Sequence, residues 1–239
     1  MVKMVRSELM KMRHTFAMKM IVAFPAVTLL MGYLLSGNSV QLAAYNWWYI
    51  IMLPITISIW CASMIVRERN TGYQNVLCLG TSLKRIYLAK MFAAAILLLI
   101  SNLVMWGGCT VLGFLTVMNI SPWNGLGGSI LLFLAYLWQI PLIMLLAKRM
   151  GYLPAVLVSF GFNIVLSLIG TEKSWFIFNP YAIPARIVCP FFRMHPNGLI
   201  LEEGSYLLET GMVLPAVGIN LLFGILLLLL TMKLFTRGE

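Results

Sequence analysis

The sequence predicts an all-α integral membrane protein: six transmembrane helices behind an N-terminal amphipathic interfacial helix, with both termini cytosolic. Three observations lead there. Hydrophobic residues make up 61% of the 239 positions and charged residues only 10%, against roughly 25% charged in a soluble domain. Six apolar runs approach the roughly 20 residues that cross a bilayer as a helix. The basic residues stand at the ends of those runs, so the net charge of +10 reads as membrane topology and not as a nucleic-acid partner.

Residues 1–19 form the interfacial helix. An apolar stripe of Val2, Val5, Leu9, Met12 and Phe16 recurs at spacings of three and four, with Lys3, Arg6, Lys11 and Arg13 around it. That pattern suits a helix in the headgroup layer, drawn by anionic lipid; bracing a cytosolic partner is the other role open to it. The six spans follow at about 20–36, 47–66, 91–118, 128–147, 152–170 and 212–232. The third is long enough to tilt or to end in an interfacial turn. The first looks like a secretory signal, but its basic region is long, no small-x-small site follows Ser36 and five more spans come after it, so it reads as retained.

Orientation follows from the cations. Lys3 to Lys19 precede the first span, Arg67, Arg69, Lys84, Arg85 and Lys90 lie between the second and third, Lys148 and Arg149 follow the fourth, and Lys233 and Arg237 follow the sixth. Only Lys173, Arg186 and Arg193 fall on the opposite side, which places both termini in the cytosol. The whole chain, 1–239, is a single transmembrane domain.

The segment 67–90 is the one long polar connector between strongly apolar spans, and it is basic. Arg67-Glu68-Arg69 leads into an Asn70-Thr71-Gly72 turn, then a short helix over 73–79 that Gly80 stops, with Ser82 placed to cap the next helix. The short helix presents Tyr73, Val76 and Leu77 to whatever docks there; an ordinary polar loop is the plainer alternative. On the other side, 37–46 and 119–127 are short and uncharged, whereas 171–210 mixes Trp175, Phe176, Phe178, Tyr181, Phe191 and Phe192 with Pro180, Pro184, Pro190 and Pro196. Apolar pieces too short to span, broken by proline, predict interfacial or re-entrant helices. They serve either as a lid, with Phe191 and Phe192 as gate, or as a passive aromatic belt.

The chain has no Asp, and its seven Glu all lie outside the spans. A charge at the bilayer centre costs about 2.5–3.5 kcal/mol, so those that persist usually carry protons, ions or substrate. Their lack argues against a proton-coupled carrier, while sodium held by backbone carbonyls stays open. No phosphate loop, H-E-x-x-H or G-x-S-x-G motif occurs, so any ATP and Mg belong to another chain, and no cofactor, metal or catalytic residue is expected here. The four cysteines show no paired or metal-ligand spacing. Among the uncharged polar residues in the spans, Asn102, Gln139, Asn163 and Asn220 either tie helices together or line a path for an amphipathic substrate.

The order of parts resembles the type-two ABC exporter permeases. The local match is Glu68-Arg-Asn-Thr-Gly72, then Leu77, Gly80, Ser82, Arg85 and Ala89-Lys90, similar to that class's E-R-x-x-G…L…S…R…K connector. The wording Gly72-Tyr-Gln-Asn-Val-Leu77 is similar to permeases of lantibiotic-immunity and bacitracin-resistance transporters. The resemblance implies that Glu68, Gly72, Tyr73, Val76, Leu77 and Gly80 couple the spans to a cytosolic ABC ATPase dimer that holds ATP and Mg. It also implies a second six-span permease chain, identical or homologous, in a bacterial plasma membrane. The cargo would be a cationic amphipathic, lantibiotic-like peptide removed from the lipid. The rival from another class is a membrane scaffold or sensor subunit that docks a signalling partner without a transport path.

Overall fold

The computed structural model describes residues 1–70 and 82–236. Those residues are helical and carry no strand, only an isolated bridge between Met194 and Ile200. The elements are α1 (Val2–Met12), α2 (Phe16–Leu35), α3 (Val40–Trp47), α4 (Leu53–Asn70), α5 (Leu83–Leu115), α6 (Pro122–Tyr136), α7 (Gln139–Met150), α8 (Tyr152–Leu168), α9 (Ile183–Ile187), α10 (Cys189–Phe192) and α11 (Val213–Thr236).

By length and composition four stretches can cross a membrane: Phe16–Leu35, Gly37–Arg69, Leu83–Leu115 and Val213–Leu234. A fifth is the pair α6 and α7, bent by 41°. These long apolar helices are the build of a membrane protein. The most apolar window of Gly37–Arg69 is 61% buried inside the bundle, against 22% for Val213–Leu234. α4 is therefore the central helix, packed on α7 and α8 and touching α2 and α5, while α11 lies at the edge. The remaining apolar helix, α8, has 17 residues and reaches about 26 Å.

Two breaks have proline as their cause. Pro54 cannot donate to the carbonyl of Ile50, and its ring crowds that oxygen. The chain answers with a wide turn over Trp48–Met52, in which Leu53 donates to the carbonyl of Trp48, five residues back, so α3 and α4 continue as one span. Pro141 likewise deprives Leu137 of its helical donor, and the axis breaks four residues earlier. There Leu137 and Ile140 make tighter bonds, to the carbonyls of Leu134 and Leu137. The carbonyl of Ala135, at the end of α6, accepts instead from the Asn220 amide at 2.8 Å.

α1 turns Val5, Leu9 and Met12 toward the bundle and packs along α5, leaving Val2 exposed; Phe16, exposed as well, is the first residue of α2, so the expected helix over 1–19 is broken at 13–15. α5 begins at Leu83, so Lys84, Arg85 and Lys90 of the expected connector are helical residues. α7 and α8 are joined through Gly151 alone, at φ +89, a backbone state that glycine tolerates and side chains resist. At the opposite end, α9 packs against α6 and α11, and α10 against α6.

Candidate functional site

The strongest concentration of charge inside the fold lies where α1, α4 and α5 meet. Glu8 and Lys11 stand three residues apart on one face of α1, Glu68 is in the last turn of α4, and Lys90 is two turns into α5. Lys90 Nζ lies 2.6 Å from Glu8 Oε2 and 2.8 Å from Glu68 Oε1. Lys11 Nζ lies 2.6 Å from Glu8 Oε1 and 3.0 Å from Glu68 Oε1. The two cations and two anions alternate, so the quartet is formally neutral. Lys90 also donates to the carbonyl of Met64 at 3.2 Å, and Arg67 donates to the carbonyl of Lys11.

Burial sets how much this matters. The side chain of Lys90 is 1% exposed and those of Glu8 and Glu68 are 7% and 8%, while Lys11 is 37% exposed. A buried charge is tolerable only when paired and hydrogen-bonded, and Lys90 has three oxygens within 3.2 Å. Burial pushes the Glu8 carboxyl up, but Lys90 and Lys11 outweigh it and hold the group below its ordinary value. Burial pushes Lys11 down, and Glu8 with Glu68 more than reverse it.

The contact between Glu68 and Lys90 has a topological result. α4 ends at Asn70 and α5 starts at Leu83, so this ion pair closes the neck of the connector, and Glu8 and Lys11 fasten that neck to α1. The other coupling candidates, Gly72, Tyr73, Val76, Leu77 and Gly80, together with the expected helix over 73–79, lie outside the described residues.

The four amides singled out in the spans, Asn102, Gln139, Asn163 and Asn220, are buried in three separate places. Asn102 accepts from the Trp48 indole at 3.1 Å and donates to Leu98. Gln139 and Asn163 exchange bonds at 2.7 and 3.0 Å, and Asn163 adds one to the carbonyl of Ser159. Asn220 reaches Ala135 at the α6–α7 break. Phe191 and Phe192 sit together at the far end. Phe192 is fully buried, stacks on Tyr45 with ring centroids 4.1 Å apart, and lies where a Cβ on Gly128 would come within 2.1 Å of its ring. Phe191 rests beside Gly127 and is partly buried. Arg186 is held in the same region by the carbonyls of Leu207 and Tyr206 and by the rings of Phe176 and Tyr206.

No family model, curated protein or solved structure matches this chain. The site therefore rests on its own chemistry.

Sequence reasoning singled out Glu68 but not its partners. The spacing of Glu8 and Lys11 is a legible helical pair, and it was the one signal that α1 carries more than surface charge. Lys90 counted as a topogenic cation and as the last residue of the connector pattern that opens with Glu68, not as its ion-pair partner. Nothing in linear order tells that it turns inward.

Proposed function

We propose that the chain is the permease subunit of an ATP-driven exporter of the type-two class, crossing the membrane six times with both termini in the cytosol. The fifth of these spans is α8, whose length of about 26 Å falls short of a hydrocarbon core of roughly 30 Å. Lys148 and Arg149 beside it can reach the headgroups and make up the difference.

The observation that carries the reading is the ion quartet. A connector that receives force from a partner must be anchored at its neck, or its movement dissipates in the loop. Here both ends of the connector are tied to each other and to α1 by buried charge. In this proposal an ATPase dimer, holding ATP and Mg, engages the segment around Tyr73, Val76 and Leu77. Its closure displaces α4, α5 and α1 together. A second six-span chain, identical or homologous, completes the exporter. The cargo is a cationic amphipathic peptide lifted out of the lipid, which gives self-immunity or resistance. The bonding of Asn102, Gln139 and Asn163 to neighbouring helices supports removal from the membrane over passage through a polar channel.

Two experiments test this. Gentle purification of the tagged chain from its native membrane, followed by mass spectrometry, is expected to recover a phosphate-loop ATPase and a second six-span chain. Recovery without an ATPase, under conditions that preserve a known exporter, supports the scaffold or sensor reading instead. Proline at Val76 or Leu77 is expected to uncouple ATP hydrolysis from peptide resistance while the protein still inserts. Intact resistance at normal expression sinks the coupling assignment.

A further inference from the structure

α5 has 33 residues and so measures about 50 Å, more than the roughly 40–45 Å of a bilayer with its headgroups. Its last turn therefore lies at the membrane surface opposite the charged neck. Phe114 and Leu115 in that turn are exposed apolar side chains. Four residues on, Asn119 donates to the carbonyl of Asn38 at 2.8 Å and joins the ends of α2 and α5.

Two hollows adjoin this point. One is an open apolar groove of about 670 Å³ between α2 and α5, lined by Leu29, Leu30, Val111 and Leu115 beside Gly107 and Gly108. The glycines make the groove: a Cβ on Gly107 would have nothing within 4 Å, and one on Gly108 would fall 2.2 Å from the side chain of Leu29. Leu30, Val111 and Leu115 are exposed, so the groove opens to acyl chains. The other hollow is a recess of about 270 Å³ whose wall includes Leu42, Asn119, Arg193, Ile200, Glu203 and Leu208. The groove runs to Thr116 and the recess starts at Asn119, at most about 11 Å further along the chain.

Arg193 and Glu203 are both exposed, and neither side chain has an ion-pair or hydrogen-bond partner among the described residues. Opposite charges thus share one recess without closing on each other. An anion placed there is drawn by Arg193 and repelled by Glu203, and a cation the reverse. A ligand with both signs gains from both. A guanidinium suits phosphate oxygens, and a carboxylate accepts hydrogen bonds from a primary ammonium, which a quaternary one cannot donate.

We propose that the ends of α2 and α5 opposite the neck bind a phospholipid with a zwitterionic, primary-ammonium headgroup. Its phosphate meets Arg193, its ammonium meets Glu203, and one acyl chain lies in the groove. This rests on the bundle being membrane-embedded, and it is independent of any ATPase.

The test uses the purified full chain in phosphatidylcholine nanodiscs with either of two probes, phosphatidylethanolamine or phosphatidylglycerol bearing the same diazirine-tagged chain. The ethanolamine probe is expected to label the stretches 26–33 and 107–116 about fivefold more than the glycerol probe. Arg193 is the one non-glycine residue at positive φ among those described, at +51, so Arg193→Gly removes the charge where the backbone favours glycine. Glu203→Gln alters an exposed side chain of the same shape, so both variants keep the fold. Each is expected to lower ethanolamine labelling about fivefold, the worth of one partly screened charge contact, and Glu203→Lys is expected to reverse the preference. Equal labelling of the unaltered protein by the two probes overturns the proposal, as does unchanged labelling in both single variants; an apolar groove without headgroup selection gives those results. Loss of labelling to water-soluble glycerophosphoethanolamine assigns the recess to a free zwitterion and overturns the lipid. Because no ATPase is present, failure here is distinct from failure of the exporter reading.

Discussion

Replacing Lys90 with methionine tests the quartet most directly. The substitution keeps most of the side-chain volume and removes one charge from a site that is 1% exposed. Of the quartet's cations, Lys11, which is 37% exposed, then remains beside Glu8 and Glu68, and the carbonyl of Met64 loses the bond from Lys90. Breaking a buried ion pair by removing one partner costs about 3–5 kcal/mol. Lys11→Met leaves the buried Lys90 between the same two carboxylates, and solvent screens the lost charge, so its cost is nearer ~1 kcal/mol. The double variant Glu8→Gln with Lys90→Met removes one charge of each sign and leaves Lys11 paired with Glu68. It is expected to be less destabilised than the sum of the two single changes, as interacting partners are. The assay is unfolding of the purified chain in detergent for the three singles and the double. Equal, small effects of Lys90→Met and Lys11→Met would refute the burial argument, and strict additivity would refute the pairing.

Further outcomes follow from the same geometry. The folded Glu8 carboxyl titrates below its ordinary value of 4.5, so its contribution is present above that value and is lost as pH falls through the folded one. Lys11 titrates above 10.5, so its contribution is complete below that value and lost as pH rises past the folded one. The protection of the α1 amides, taken relative to their intrinsic exchange rate at each pH, is therefore expected to hold through neutral pH and to fall at both extremes, with Glu8→Gln lacking the Glu8 part of the acid limb. At the far end, Phe192→Ala opens a cavity against Tyr45 and Gly128 and is expected to cost about 3–5 kcal/mol. Phe191→Ala, at a partly buried position, is expected to cost less, and thermal unfolding ranks the two.

The apolar runs were the legible part of the sequence, because hydropathy along a helix is a local property. Boundaries moved where a local pattern met a tertiary demand. α5 starts at Leu83 because Lys84 and Lys90 extend an apolar helix beyond the stretch that hydropathy alone marks, and Lys90 is stabilised by two carboxylates distant in sequence. The bend at Leu137 and Trp138 was half legible: Pro141 announces a disturbance, but where the freed carbonyls find donors depends on Asn220, on another helix. The amides were visible as residue types, whereas their pairing of Gln139 with Asn163 is set by the way α7 and α8 pack. Phe191 and Phe192 were visible as an aromatic pair. Their division into one buried anchor and one half-buried neighbour depends on the glycines of α6, where Gly128 leaves room for Phe192.

A single turn of α5 joins the charged neck to the break. Lys90 reaches α1 and α4, and three residues earlier, one turn along the same side of the helix, Tyr87 reaches α11 and α7, with its hydroxyl 2.9 Å from that of Thr231 and 3.5 Å from the carbonyl of Pro141. Pro141 is the residue that breaks the α6–α7 helix. A displacement of the neck therefore reaches the break through one rigid helical turn, without any chain of mobile side chains. If that turn transmits, Lys90→Met and Tyr87→Phe are coupled, and a double-mutant cycle in the unfolding assay gives an interaction of about 0.5 kcal/mol or more. Additivity within roughly 0.3 kcal/mol would mean that the neck and the break respond independently. The force of an attached partner would then have to reach the far end through α4, the central helix, instead of α5.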